Sequence, residues 1–144
     1  MKIAIIGSRG YPYVYSGYET FVRELSERLV QQGIAVTVYC HRNLFCDRPK
    51  EVNGIRLVYI PTIEKKNFSQ FFHSFQSVLH ACFVKYDVIL VVNSANGPFG
   101  WLTRLCRKLT VINVDGLEWR RPKWRGLGGR YFHWASKQAT RLYD

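Results

Sequence analysis

Short apolar runs of the kind that a sheet buries on both faces recur along this chain, and stretches of helical period separate them. The runs are Lys2–Ile6, Val36–Cys40, Ile55–Ile60, Asp87–Val92 and Thr110–Val114. Asp87–Val92 and Thr110–Val114 show no polar alternation, which is the mark of parallel strands covered on both sides. Between the first two runs, Phe21, Val22, Leu25, Leu29 and Val30 recur at helical spacing, with Arg23, Glu24, Glu27 and Arg28 on the polar side. Gly33 then takes the position that ends a helix. Phe68–Val84 reads as a second helix, with Phe68, Phe71, Phe72, Phe75, Val78, Leu79, Cys82 and Phe83 apolar and Ser69, His73, Gln76 and His80 as a polar stripe. A third is expected from Gly97-Pro98 to Arg107, and a last from Arg130 to Tyr143. This order predicts an α/β domain: a Rossmann-like, mostly parallel open sheet with helices on both faces.

In such sheets ligands bind beyond the carboxyl ends of the strands. The loops to watch are therefore Ser8–Gly17, His41–Gly54, Asn93–Gly97 and Asp115–Gly129. A length of 144 residues suits one domain. The net charge of +11 points to anionic company: nucleic acid, an anionic membrane surface or phosphorylated small molecules. The charge is uneven, because residues 101–144 hold ten basic and three acidic side chains. Cys40, Cys46, Cys82 and Cys106 follow no zinc-ligand spacing, so no metal site is expected and a reducing, cytoplasmic compartment fits. Only four apolar residues, Ile3 to Ile6, separate Lys2 from Gly7, which gives no signal-peptide pattern.

Gly7-Ser8-Arg9-Gly10 could bring backbone N–H groups to an anion at a helix start. It is not the dinucleotide fingerprint, because Arg9 stands where the second glycine belongs. It is not a P-loop either, and the second strand ends at Cys40-His41 without the acid that would hold a ribose. Ser16 with Glu19 three residues on has capping-box spacing. Asp115 and Glu118 are carboxylates at the predicted ligand edge, able to accept a proton from a substrate hydroxyl or to orient it. The structural alternative is a turn cap, or ion pairs with Arg120 or Arg121. Trp119, Arg120, Arg121, Lys123, Trp124 and Arg125 form the densest cationic run, suited to an anionic lipid interface or to bases and phosphates. His73 and His80 are expected to face solvent.

Met1-Lys2-Ile3-Ala4-Ile5-Ile6-Gly7-Ser8-Arg9-Gly10, followed by Ser16-Gly17-Tyr18-Glu19-Thr20-Phe21-Val22, resembles the start of family 4 glycosyltransferases. The rhamnosyltransferase-like bacterial branch is the most similar. Tyr59-Ile60-Pro61-Thr62, Asn93-Ser94-Ala95-Asn96-Gly97-Pro98-Phe99 and Asn113-Val114-Asp115-Gly116-Leu117-Glu118-Trp119 continue the resemblance in order. It implies the N-terminal, acceptor-binding half of a GT-B enzyme, which transfers a sugar with retention from a nucleotide-diphosphate donor and needs no metal. The acceptor would be lipid-linked or polysaccharide, at the inner face of the cytoplasmic membrane. The resemblance places Gly17 against the donor diphosphate, with Ser16 and Arg9 beside it. Ser16 departs from the pattern, where a glycine is common. Asp115 would orient the acceptor hydroxyl, and Asn93, Asn96 and Gly97 would line the cleft. The donor-binding C-terminal domain has no counterpart among these residues, so the chain by itself is expected to transfer no sugar.

Two other readings compete. A nucleic-acid-binding module would use the basic, Trp-rich segment 119–125 but carries no recognised motif. A nucleotide- or NAD-dependent oxidoreductase is disfavoured by Arg9 and Cys40.

Overall fold

The computed structural model describes residues 1–144 apart from 14–15, 64–67, 115, 117–119, 121 and 123–125. The chain runs β1 (Lys2–Ile6), α1 (Gly17–Gln31), β2 (Ala35–His41), β3 (Glu51–Val52), β4 (Ile55–Ile60), α2 (Ser69–Phe83), β5 (Val88–Val92), α3 (Gly100–Leu105), β6 (Thr110–Asn113) and α4 (Leu127–Leu142). Short 3-10 turns cover Arg42–Leu44 and Ser94–Phe99. The six strands order as β3-β4-β2-β1-β5-β6, and all pairings are parallel except β3 with β4. The fold is therefore the expected Rossmann-like α/β sheet. From β1 the connections run outward to β2 and β4 on one side and later to β5 and β6 on the other. The switch point lies between β1 and β5, where their loops diverge.

The pleat of β1 sorts its side chains between two cores. Ile3 and Ile5 join Val22 of α1 with Val36, Val38 and Leu57. Ala4 and Ile6 face the other layer, with Val78, Ala81, Cys82, Phe99 and Leu102. Helices thus cover both faces, which is why the strands carry continuous apolar runs.

Four details differ from the sequence reading. Asn53-Gly54 closes a two-residue hairpin between β3 and β4, with φ of 51° and 76°, where an irregular stretch was expected. The segment expected as one helix from Gly97 splits into the 3-10 turn and α3, and it ends at Leu105 with Arg107 at φ 52°. The last helix begins at Leu127, three residues before the expected start. Phe68 before α2 and Phe71, Leu79 and Phe83 within it are exposed, while His73, Ser74, Ser77, Val78, Ala81 and Cys82 are buried. The sheet takes the face of α2 that carries Ser74, Ser77 and Ala81, because small side chains allow closer packing.

Candidate functional site at the carboxyl edge of the sheet

Gly7 ends β1 at φ 107°, and a Cβ there would lie 2.4 Å from the Val92 carbonyl and 2.7 Å from Asn96 Nδ2. Only a glycine lets the β1 loop sit this close to the β5 loop. Gly10, at φ 129°, packs against the side chains of Cys40 and Phe45, each 2.9 Å from where a Cβ would lie. Both glycines therefore have packing reasons, whatever binds there. Tyr11 anchors the next turn: its hydroxyl donates to Glu27 Oε1 at 2.7 Å and accepts from Asn53 Nδ2 at 2.8 Å.

Glu19 is the brace of this loop. It is 4% exposed, with Oε1 accepting the Arg9 backbone N–H at 3.1 Å and Oε2 accepting the Ser16 hydroxyl. This is not the expected capping box. Ser16 does precede the helix in extended backbone, but its side chain gives its proton to the Glu19 carboxylate and caps no backbone N–H. A carboxylate in the first turn suits the helix dipole and at the same time fixes the loop before it. Gly17 follows at the exposed start of α1, with nothing within 4 Å of where a Cβ would project. The Arg9 backbone and the Ser16 side chain are thus held by one buried acid.

Beneath the loop lies a polar layer that the sequence reading missed. The His41 and His73 rings stack with centroids 3.8 Å apart and 21° between planes. His73 is fully buried, contrary to the expectation that it faces solvent. Gln70 ties the layer together: its Oε1 lies 3.1 Å from His41 Nε2, and its Nε2 donates to the Gly7 carbonyl at 2.8 Å. Burial pushes His41 down to about 4, with the Gln70 contact working against the shift. Burial also pushes His73 down to about 3, aided by the neighbouring His41. Neither His73 nitrogen makes a hydrogen bond of good geometry, although the Cys40 backbone favours its protonated form. Both rings are neutral at pH 7. The one signal in sequence was His41 at the end of an apolar strand. The helical position of His73 gave none, since α2 is amphipathic in the unexpected direction. His80, exposed as expected, still lies 2.8 Å from the Tyr39 hydroxyl.

The β5 loop forms the other wall. Asn93 sits at φ 79° and accepts the Ala95 N–H through Oδ1 at 2.9 Å. Asn96 is 1% exposed, and its Nδ2 donates to the Val92 carbonyl at 2.7 Å. Gly97 is wedged under α4, where a Cβ would come within 2.1 Å of the Ala135 carbonyl. Asn96 and Gly97 therefore build the wall from inside, whereas half-buried Asn93 stands at its rim. Tyr131 of α4 and Tyr143 just after it donate to the Ala95 and Asn96 carbonyls, each at 2.8 Å, and so hold the loop. The Ser8 and Ser94 hydroxyls are buried at this edge without a protein partner.

Asp115, Glu118, Trp119, Arg121, Lys123, Trp124 and Arg125 lie outside the described residues. Arg120 is described and exposed. No group of three His, Cys, Asp or Glu among the described residues could hold a metal ion, and no described helix is long and apolar enough to cross a membrane. A hollow of about 500 Å³ lies along the second half of α1, lined by Glu24, Glu27, Arg28, Gln31 and Gln32. One helix supplies its whole lining, so it is a groove between neighbouring side chains.

These features define a Rossmann-like domain with glycine-shaped loops converging on the switch point of its sheet. The chain belongs to the family described as "Domain of unknown function (DUF1972)", which matches residues 1–144. It is 33% identical over 61 residues to the "Uncharacterized 42.6 kDa protein in cps region" of Klebsiella pneumoniae, a stretch covering 42% of this chain and 16% of that protein. Its fold is similar to that of sucrose-phosphate synthase from Thermosynechococcus elongatus. The TM-score is 0.72 at 16% identity, covering 99% of this chain and 41% of the synthase. The chain thus spans well under half the length of either protein in these matches.

Proposed function

We propose that this domain is the acceptor-side half of a glycosyltransferase that builds cell-surface polysaccharide. The observation that carries the reading is the junction at Gly7. There the turn after β1 packs against Val92 and Asn96 of the β5 loop at the switch point of a sheet whose fold sucrose-phosphate synthase shares. The relative from a cps region supports the polysaccharide context. In this reading a nucleotide-diphosphate sugar is the donor, held mainly by a second domain. The exposed backbone of Gly17, with Ser16 and Arg9, meets its diphosphate from this side. Asp115 orients the acceptor hydroxyl and Glu118 assists it. No metal takes part, because backbone N–H groups and arginine offset the diphosphate charge. Rhamnose is the sugar that the resemblance suggests, and the acceptor is lipid-linked or polysaccharide.

The test is sugar transfer by the full-length protein, using a panel of radiolabelled nucleotide sugars and a membrane extract as acceptor. Label should enter lipid or polymer, and Asp115→Asn should lower the rate by two orders of magnitude or more. No transfer from any donor, with the protein folded, overturns the reading. Residues 1–144 alone should give none; turnover by them would refute the division of labour between domains.

A further inference from the structure

The ends of α2 and α3 bring together two cysteines that lie well apart in sequence. Cys82 is buried in the last turn of α2, and Cys106 is exposed at the end of α3. The Cys82 thiol is hydrogen-bonded to that of Cys106. The turn after α3 fixes this arrangement. The Arg107 N–H donates to the Arg104 carbonyl at 3.0 Å and the Lys108 N–H to the Thr103 carbonyl at 2.9 Å, with Arg107 at φ 52°. These are the paired bonds of a Schellman ending, with Cys106 at the helix end. Lys108 then ties the turn to α2: its Nζ donates to the Val84 carbonyl, two residues beyond Cys82, at 2.8 Å. The backbone around both cysteines thus holds the two thiols face to face.

A facing pair of thiols suits either a metal ion or oxidation to a disulfide. A metal ion needs further ligands, and no third His, Cys, Asp or Glu joins the pair among the described residues. The two thiols differ in access, because Cys106 meets water and Cys82 does not. Burial, and then Cys106 itself, push the Cys82 thiol up to about 12, while Lys108 works the other way. Once Cys106 is capped, its thiol no longer opposes ionisation of Cys82, and Lys108 still favours it. We propose that Cys82 and Cys106 are a redox dithiol that closes reversibly to a disulfide on reaction with a small disulfide of the glutathione class. Cys106, as thiolate, attacks one sulfur of that molecule. The external S–S bond breaks, one thiol leaves, and Cys106 carries a mixed disulfide. The Cys82 sulfur then attacks the Cys106 sulfur, and its proton goes to the departing second thiol. Two protein thiols are oxidised, and one external disulfide is reduced to two thiols. A transient bond of this kind is compatible with a reducing compartment. The ring it closes contains β5, the Asn93–Gly97 loop and α3. Oxidation therefore fastens together the two ends of the segment that builds one wall of the candidate site. The inference does not depend on the sugar-transfer reading.

The experiment incubates the protein with mixtures of oxidised and reduced glutathione, quenches with acid and reads the mass. A species lighter by two hydrogens is expected, with a tryptic peptide joining Cys82 to Cys106, and dithiothreitol should restore the starting mass. The cross-linked form should melt about 5–10 °C above the reduced one. Cys106→Ser changes an exposed side chain, so the reduced variant should melt like the parent but show neither the cross-link nor the rise. Cys82→Ala should keep glutathione on Cys106, because the thiol that displaces it is gone. A stable glutathione adduct on Cys106 of the parent, or cross-linking of other cysteines in its place, overturns the proposal. So does a parent in which Cys82 and Cys106 stay reduced under conditions that modify the exposed Cys46. A cross-linked form that melts below the reduced one also overturns it, since the bond would then distort the fold.

Discussion

The Glu19 carboxylate accepts the backbone N–H of Arg9 at 3.1 Å and is almost fully buried in doing so. Through that bond the first turn of α1 dictates the shape of the loop after β1. Glu19→Ala leaves the Arg9 N–H and the Ser16 hydroxyl without their acceptor and should cost about 2 kcal/mol in urea unfolding. Glu19→Gln keeps one acceptor oxygen, and Ser16 can accept from the new amide, so its loss should be about half as large. Equal losses for the two variants would show that hydrogen bonding is not what Glu19 contributes.

His41 and His73 make the fold sensitive to acid. Burial holds both below the usual value of 6.5, so the unfolded chain binds more protons between that value and about 3 to 4. Their neutral packing therefore contributes fully above pH 6.5 and is undermined as pH falls below it. Two such groups predict a loss on the order of 3 kcal/mol between pH 7 and pH 5. Urea midpoints across that range check this, and His41→Asn should roughly halve the slope. A midpoint that does not move between pH 7 and pH 5 would contradict the buried stack.

Two glycines of the candidate site should behave oppositely. Gly97→Ala drives a methyl into the Ala135 carbonyl and should cost about 3 kcal/mol or more, because a helix backbone cannot yield locally. Gly17→Ala meets open space at a helix start and should be neutral or stabilise by up to about 1 kcal/mol. If the proposed donor contact is right, Gly17→Ala in the full-length protein slows transfer without lowering the melting temperature. Unimpaired transfer by that variant would remove Gly17 from the site.

Tyr131 of α4 and Tyr143 just beyond it hold neighbouring carbonyls of the β5 loop. Each Tyr→Phe change should cost about 1 kcal/mol. Because both bonds position one loop, the double variant should depart from additivity by about 0.5 kcal/mol or more. Strict additivity in denaturant titrations would mean that the two bonds act independently.

Much of the architecture was legible in the chain because each signal is local. Short continuous apolar runs suit parallel strands covered on both faces, and Gly33 after a helical period ends a helix. The positions of the glycine loop and of Asn93–Gly97 followed from the rule that ligand loops cluster at the carboxyl edge. Asn53-Gly54 carries a hairpin signal of its own, but β3 is only two residues long and sets no strand pattern beside it.

The site's supporting layer was not legible, because it depends on which helix face the sheet accepts. By periodicity His73 belonged to a polar stripe and Phe83 to an apolar one. Packing reversed both: Ser74, Ser77 and Ala81 fit the narrow space against the sheet, so His73 went in with them and Phe83 stayed out. Likewise Ser16 and Glu19 have the spacing of a cap. Only the return of the β1 loop, bringing the Arg9 N–H to the carboxylate, made Glu19 a brace. The sequence by itself determined strand, helix and the edge where loops gather, since these follow from residue period and turn chemistry. The tertiary structure decided which polar groups are buried together, since that is set by the shapes of faces that meet only after the chain has folded.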